Sequence, residues 1–254
     1  MSIKILGIIQ ARCNSTRLKN KVFADISGKP LIERVFDRVN QSKLIENIVI
    51  ATSKELSDKK IVEWCIQNKI NYFCGDENNV LDRFYKCGKL YEADIVVRIT
   101  SDDPFKDPKI MDYAINLLIS GNYDYVSNTI IPTYPEGMDV EVFTFLALKK
   151  AYKEAKLNSE KEHVTPFIWK NKDFFSIHNF KNSQNLSNYR WTIDYSEDLD
   201  FVRALYQLLK DKNYFSMNEI INLLKKYPHL NNIQKDVYRN EGYLNSITKE
   251  VNNE

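Results

Sequence analysis

The chain has 254 residues, 43% hydrophobic and 28% charged, which are globular values and enough for a sizeable core. Its 36 basic and 34 acidic side chains leave a net charge of +2, so no global field favours nucleic acid and basic groups matter only where they cluster. Four scattered cysteines without a C-x-x-C pair argue against a zinc site or a disulfide framework. They fit a reducing cytoplasm, as do the lack of a secretory signal and of an apolar run near the roughly 20 residues of a membrane helix.

In chain order, residues 3–9 carry an apolar run, Ile5 to Ile9, expected as a buried first strand. It opens into a polar loop with Arg12, Ser15, Thr16, Arg17, Lys19 and Lys21. Open α/β sheets bind ligands at such a loop, and guanidinium forks with added lysine charge suit a polyphosphate. A solvated basic loop has the same composition. Cys13 sits among these cations, which would depress its thiol pKa.

Apolar positions 31, 32, 35, 36 and 39 predict a helix over 30–42, with Pro30 in its first turn. Strand and helix signals then alternate: strand 47–52, helix 56–69, strand 70–74, helix 78–91, strand 94–99, helix 109–120 and strand 124–127. This βαβα order predicts a mainly parallel sheet with helices on both faces. Residues 130–137 read as a proline-containing loop, and 138–143 alternate as a half-buried strand. Helices at 144–156 and 159–170, strands at 174–180 and 189–193, and helices at 196–211 and 216–226 complete the pattern. A polar, weakly periodic tail over 230–254 ends a single expected domain and would wrap it or meet a partner.

Two further loops complement the cationic one. Residues 98–104 read Arg-Ile-Thr-Ser-Asp-Asp-Pro, and 190–194 read Arg-Trp-Thr-Ile-Asp, each putting Asp at the end of a predicted strand. Such an Asp is often a helix N-cap. Two carboxylates with one cationic loop also describe a nucleotide–Mg²⁺ site, because Mg²⁺ takes one or two carboxylates and then phosphate oxygens. There is no G-x-G-x-x-G, P-loop, H-E-x-x-H or G-x-S-x-G motif.

At this point the residues resemble a known family. Ile8-Ile-Gln-Ala-Arg-Cys-Asn-Ser-Thr-Arg-Leu18, Ile48 to Ser53, Asn79 to Tyr85, Val97 to Pro104 and Asp124 to Thr129 are similar to the SpsF-like cytidylyltransferases, relatives of the CMP-Kdo and CMP-sialate synthetases. So are Tyr134 to Phe143, Glu162 to Phe167, Arg190 to Leu199 and Arg239 to Tyr243. The resemblance implies a GT-A-like nucleotidyltransferase fold, that is, a doubly wound α/β sheet. It also implies CTP as substrate, Mg²⁺ as cofactor and a homodimer with contacts in 130–143 and the tail.

By position the resemblance puts Arg12, Arg17 and Lys21 on the triphosphate, with Gln10 and Ala11 beside the cytidine. Asp82 and Arg83 match the pair that approaches cytosine, and Ser15, Thr16, Thr52, Ser53 and Thr100 complete the expected nucleotide site. Asp102 and Asp194 match the two metal carboxylates, and Arg12, Arg17, Lys21 and Asp102 form the expected catalytic set. Two departures stand out. The usual Leu-Pro-Gly-Lys is Leu18-Lys19-Asn20-Lys21, which removes a rigid turn, and the usual Gly-Asp is Ser101-Asp102-Asp103.

The expected reaction is in-line attack of an acceptor oxygen on the α-phosphorus of CTP, with pyrophosphate leaving. Such chemistry depends on positioning and charge stabilisation. The acceptor pocket is expected from Asn128, Tyr134, Glu136, Asp139, Glu141 and His163. Each has a plainer role open to it: Asn128 as a cap, Asp139 and Glu141 as a solvent face, His163 as a surface helix residue. The three tryptophans, Trp64, Trp169 and Trp191, read as core. The acceptor is a sugar acid or a related sugar of surface glycans; a phosphorylated small molecule would instead give a CDP product. A GT-A glycosyltransferase and an inactive nucleotide-binding regulator are the rivals, and no membrane partner is expected.

Overall fold

The computed structural model describes residues 2–209, 212, 214–234 and 237–252. Its elements begin β1 (Ile5–Gln10), β2 (Asp25–Ile26), β3 (Lys29–Pro30), α1 (Leu31–Val39), β4 (Asn47–Ser53), α2 (Lys59–Gln67) and β5 (Asn71–Gly75). They continue α3 (Val80–Leu90), β6 (Ile95–Thr100), α4 (Pro108–Ser120), β7 (Tyr125–Ser127), β8 (Glu141–Thr144), α5 (Phe145–Glu154), α6 (Asn158–His163) and α7 (Pro166–Lys170). Last come β9 (Ile177–Asn179), α8 (Ser196–Leu209), α9 (Met217–Lys226) and α10 (Glu241–Val251).

Seven strands form one sheet in the order β5-β4-β1-β6-β8-β7-β9, and β2 with β3 make a separate small ribbon. The pairs around β1 are parallel, as are β4 with β5 and β7 with β9; β8 runs antiparallel to both its neighbours. The chain steps from β1 out to β4 and β5, then returns to β6 on the other side of β1. Loops at the carboxyl ends of β1 and β6 therefore part at that reversal and leave a crevice, where doubly wound sheets bind ligands.

Strand periodicity divides the core cleanly. Ile5 and Ile9 of β1 join Ile48 and Ile50 of β4 and Ile95, Val97 and Ile99 of β6 under α1, α4 and α8. Leu6 and Ile8 join Val49, Ala51 and Val96 under α3 and α5. Side chains alternate across a strand, so a strand buried on both faces reads as continuous apolar sequence.

The later elements depart from expectation in instructive ways. The predicted strand 138–143 is ordered as strand only from Glu141, because Val140 N–H donates to Asn128 Oδ1 at 2.8 Å and Met138 O accepts from Asn128 Nδ2 at 3.0 Å. The predicted helix 159–170 splits into α6 and α7 at Val164, which is buried and sits at φ 72°, a costly conformation for a β-branched residue. Residues 189–193 join no sheet; they run extended beside residue 136, making a single bridge between Glu136 and Arg190. The expected helix 196–211 is α8, and its last two positions lie outside the described residues. The tail contains a helix, α10, that polarity had concealed.

Candidate active site

The loop after β1 is held by buried backbone hydrogen bonds. Asp58, 1% exposed, accepts from Cys13 N at 2.7 Å and from Ser53 N and Oγ at 3.2 and 2.6 Å. It thereby ties the loop to the end of β4. Asn20 takes the left-handed conformation, φ 55°, and its N–H donates to Cys13 O at 3.0 Å. Asparagine tolerates that region, so the loop turns here without a Pro-Gly pair. Cys13 also departs from expectation: burial, then the Asp58 carboxylate, pushes its thiol up to about 11, and it is inert at neutral pH.

Lys21 closes this loop and stands between the two candidate metal carboxylates. Its Nζ lies 2.8 Å from Asp102 Oδ2 and 2.9 Å from Asp194 Oδ1, and donates to Ile193 O at 2.6 Å. Burial opposes its charge, but both carboxylates outweigh burial and raise its pKa. Burial likewise acts against ionised Asp102, and Lys21 holds its pKa below the usual range. Arg17 Nη2 adds a 2.6 Å contact to Asp194, and Arg17 Nη1 reaches Glu241 at 3.1 Å. Arg12 is exposed at the mouth, close enough to Arg83 to help burial lower that guanidinium to about 10. Arg83 Nε is buried and has no partner among the described residues.

Asp194 reaches Asp102 because the extended 189–193 segment lies against two loops. Ile193 N–H donates to Asp102 O at 2.9 Å, and Trp191 N–H to Glu136 O at 2.8 Å. Gly137, at φ 95°, permits that approach: a Cβ there would sit 2.9 Å from the Trp191 carbonyl carbon. Fully buried Asp198 fixes the far side, accepting from Asp194 N and Tyr195 N at 2.9 Å each while pairing with Arg190. Among the described residues no three potential metal ligands cluster. Two hard carboxylates converging on one cation position nonetheless suit Mg²⁺, which draws its remaining ligands from water and substrate phosphate.

A second set of carboxylates lines the same cavity. Antiparallel register places Glu141 of β8 opposite Arg98 of β6, and the two form an ion pair. Tyr125 Oη and Thr165 Oγ1 also donate to Glu141, at 2.7 and 2.5 Å. Burial disfavours its charge, but Arg98 and these donors hold its pKa down. Asp139 pairs with Arg239, yet burial keeps its pKa raised. Glu136 accepts from Asn240 N at 2.8 Å, and burial, reinforced by Asp139, lifts it to about 7. Burial and the charge of Arg98 bring His163 down to about 4, so its imidazole is neutral at pH 7.

These groups surround one cavity of about 720 Å³, within the size range of cofactor and substrate sites. Of the candidate residues it gathers Gln10, Ala11, Arg12, Ser15, Thr16, Arg17, Lys21, Arg83, Thr100, Asp102 and Asp194, together with Glu136, Asp139, Glu141 and His163. Five others do not line it. Thr52 and Ser53 are buried at the end of β4. Asp82 turns to Lys86 at 2.8 Å. The Asn128 amide is engaged by Met138 and Val140, and the Tyr134 ring packs on Phe180. Trp169, expected in the core, is in the cavity wall. The sequence motifs include Arg98, Asp103 and Tyr243 but gave them no site role, and Lys106 and Ser246 carried no signal; all five line the cavity. A lone charge inside the apolar run of β6 was the available signal for Arg98.

Known proteins resemble the chain along most of its length. The cytidylyltransferase family pattern matches residues 6–240. The spore coat polysaccharide biosynthesis protein SpsF of Bacillus subtilis is 33% identical over 231 residues, covering 88% of this chain and 95% of SpsF. A cytidylyltransferase structure from Leptospira borgpetersenii superposes with a TM-score of 0.87 at 31% identity, covering 93% of this chain and all of that one. A CMP:2-keto-3-deoxy-manno-octonic acid synthetase solved with CTP shares the fold, with a TM-score of 0.63 at 18% identity over 82% of this chain and all of the other. The chain therefore belongs to the cytidylyltransferase family and is a CTP-dependent nucleotidyltransferase.

Proposed function

We propose that the protein transfers CMP from CTP to a hydroxyl of a sugar acid or related sugar, releasing pyrophosphate, in surface glycan biosynthesis in the cytoplasm. The observation that carries this reading is the meeting of Arg17 and Lys21 with Asp102 and Asp194 at the carboxyl ends of β1 and β6. Arg12 and Arg17 offer guanidinium forks to phosphate oxygens, and Lys21 neutralises charge growing on the leaving pyrophosphate. Asp102 and Asp194 would hold Mg²⁺, which when bound neutralises the triphosphate and aligns it. Gln10 and Arg83 line the part of the cavity assigned to the nucleoside.

Four carboxylates, Glu136, Asp139, Glu141 and Glu162, line the same cavity. A hydroxyl finds proton acceptors among them, which favours a hydroxyl acceptor over one that yields a CDP product. Glu136, poised near neutrality, is suited to take the hydroxyl proton. SpsF carries the glycan assignment by its name. A homodimer is part of the proposal. The two segments expected at its interface contact each other within the chain, through Arg239 with Asp139 and Asn240 with Glu136.

The test is pyrophosphate release from each of the four NTPs with Mg²⁺, against sugar acids, neutral sugars and phosphorylated alcohols. Release with CTP and a hydroxyl acceptor is the expected result. Release only with a phosphorylated alcohol would replace the acceptor class, and failure of CTP to bind would overturn the reading.

A further inference from the structure

Helix α10, which begins at Glu241, walls the cavity. None of its side chains is buried. Polar contacts hold it instead: Ser246 Oγ donates to Glu162 Oε2 at 2.9 Å and lies 3.0 Å from His163 Nε2, while Glu250 accepts from Ser159 N and Oγ at 2.5 and 2.8 Å. These contacts seat the helix across α6, opposite the Arg98–Glu141 pair.

Tyr243, in the first turn of α10, stands edge-on to His163 with centroids 5.2 Å apart and to Trp169 at 5.7 Å. All three rings line the cavity. The Tyr243 hydroxyl is shielded from solvent and has no hydrogen-bond partner among the described residues. Buried polar atoms are nearly always paired, and an orphan in a cavity wall marks the place of a missing partner. Aromatic edges beside one unpaired hydroxyl suit a polyhydroxylated ring or chain, with its carbon skeleton on the rings and one oxygen on the phenol.

We propose that Tyr243 is a specificity-determining residue for the acceptor, its hydroxyl hydrogen-bonding one hydroxyl of a polyhydroxylated acceptor held between α6 and α10. The inference rests on cytidylyl transfer to a sugar-like hydroxyl acceptor, and it assigns acceptor choice to the first turn of α10.

The test compares wild type with Tyr243→Phe, using the acceptor the wild type accepts in pyrophosphate release and single-deoxy analogues of it. CTP affinity by calorimetry and Tm should match wild type, while kcat/KM for the acceptor falls about tenfold. One deoxy analogue should react equally with both proteins, because the bond is already missing on the substrate side. Unchanged kcat/KM in the variant, or the same loss with every deoxy analogue, would overturn the proposal. Absence of pyrophosphate release by the wild type with every acceptor would overturn cytidylyl transfer itself, and the proposal with it.

Discussion

The loop after β1 and the helix that ends the chain face one cavity, but they are secured in different ways. The loop is anchored from below: Cys13 N–H and both polar groups of Ser53 converge on a carboxylate 1% exposed, and buried Lys21 is held between the partly exposed carboxylates of Asp102 and Asp194. Helix α10 has no buried side chain and attaches through hydroxyl and carboxylate contacts. A group that must meet the same triphosphate at every turnover gains from fixed, preorganised charge. A wall that meets a variable acceptor can change without disturbing the core.

That contrast can be broken or sharpened by experiment. Asp102→Asn should lower kcat about 10³-fold, because it removes charge from the point where Lys21 and Asp194 meet; a kcat near wild type would break the comparison at its centre. Asp58→Ala leaves three buried donors without an acceptor. It should cost about 3 kcal/mol, read as a Tm lowered by about 6–12 °C. Arg17→Lys keeps the charge but loses the fork, and the KM for CTP should rise about tenfold with acceptor KM unchanged.

The smallest effect concerns Glu136. Its folded pKa of about 7 exceeds that of an exposed glutamate, so between those values the folded chain binds more protons than the unfolded one. Stability linked to this group is therefore present at low pH and is lost as pH rises toward 7. Glu136→Gln should be more stable than wild type at pH 8 by about 1 kcal/mol after solvent screening, with no advantage at pH 4. Melting curves across that range check it.

The first half of the chain was legible because its strands are buried on both faces and its helices carry one apolar stripe. Ile5 to Ile9 and Ile95 to Val97 could be little else. The triphosphate loop and the Asp102–Asp194 pair could also be named, since each follows an apolar run in a familiar phrase. What stayed hidden depends on contacts between distant segments. Residues 189–193 look like a strand, and only the close approach at Gly137 shows that they run beside residue 136 instead. Asn128 ends a strand in the manner of a ligand-binding amide, but its partners lie 10 and 12 residues ahead. Helix α10 carries only a short stripe, Tyr243, Leu244, Ile247 and Val251, inside a polar tail, and it covers a polar cavity and not the core.

The mode of attachment of α10 separates the life of the site from the life of the fold. The helix carries no fully buried side chain and can detach at small cost in buried surface, so a species with an intact sheet and an open cavity lies within easy thermal reach. In mild denaturant or high salt, turnover should fade while the circular dichroism of the sheet and core helices barely changes. Proteolysis near residue 240 should follow turnover and not global unfolding. For this protein, a melting temperature would overstate the range in which it works.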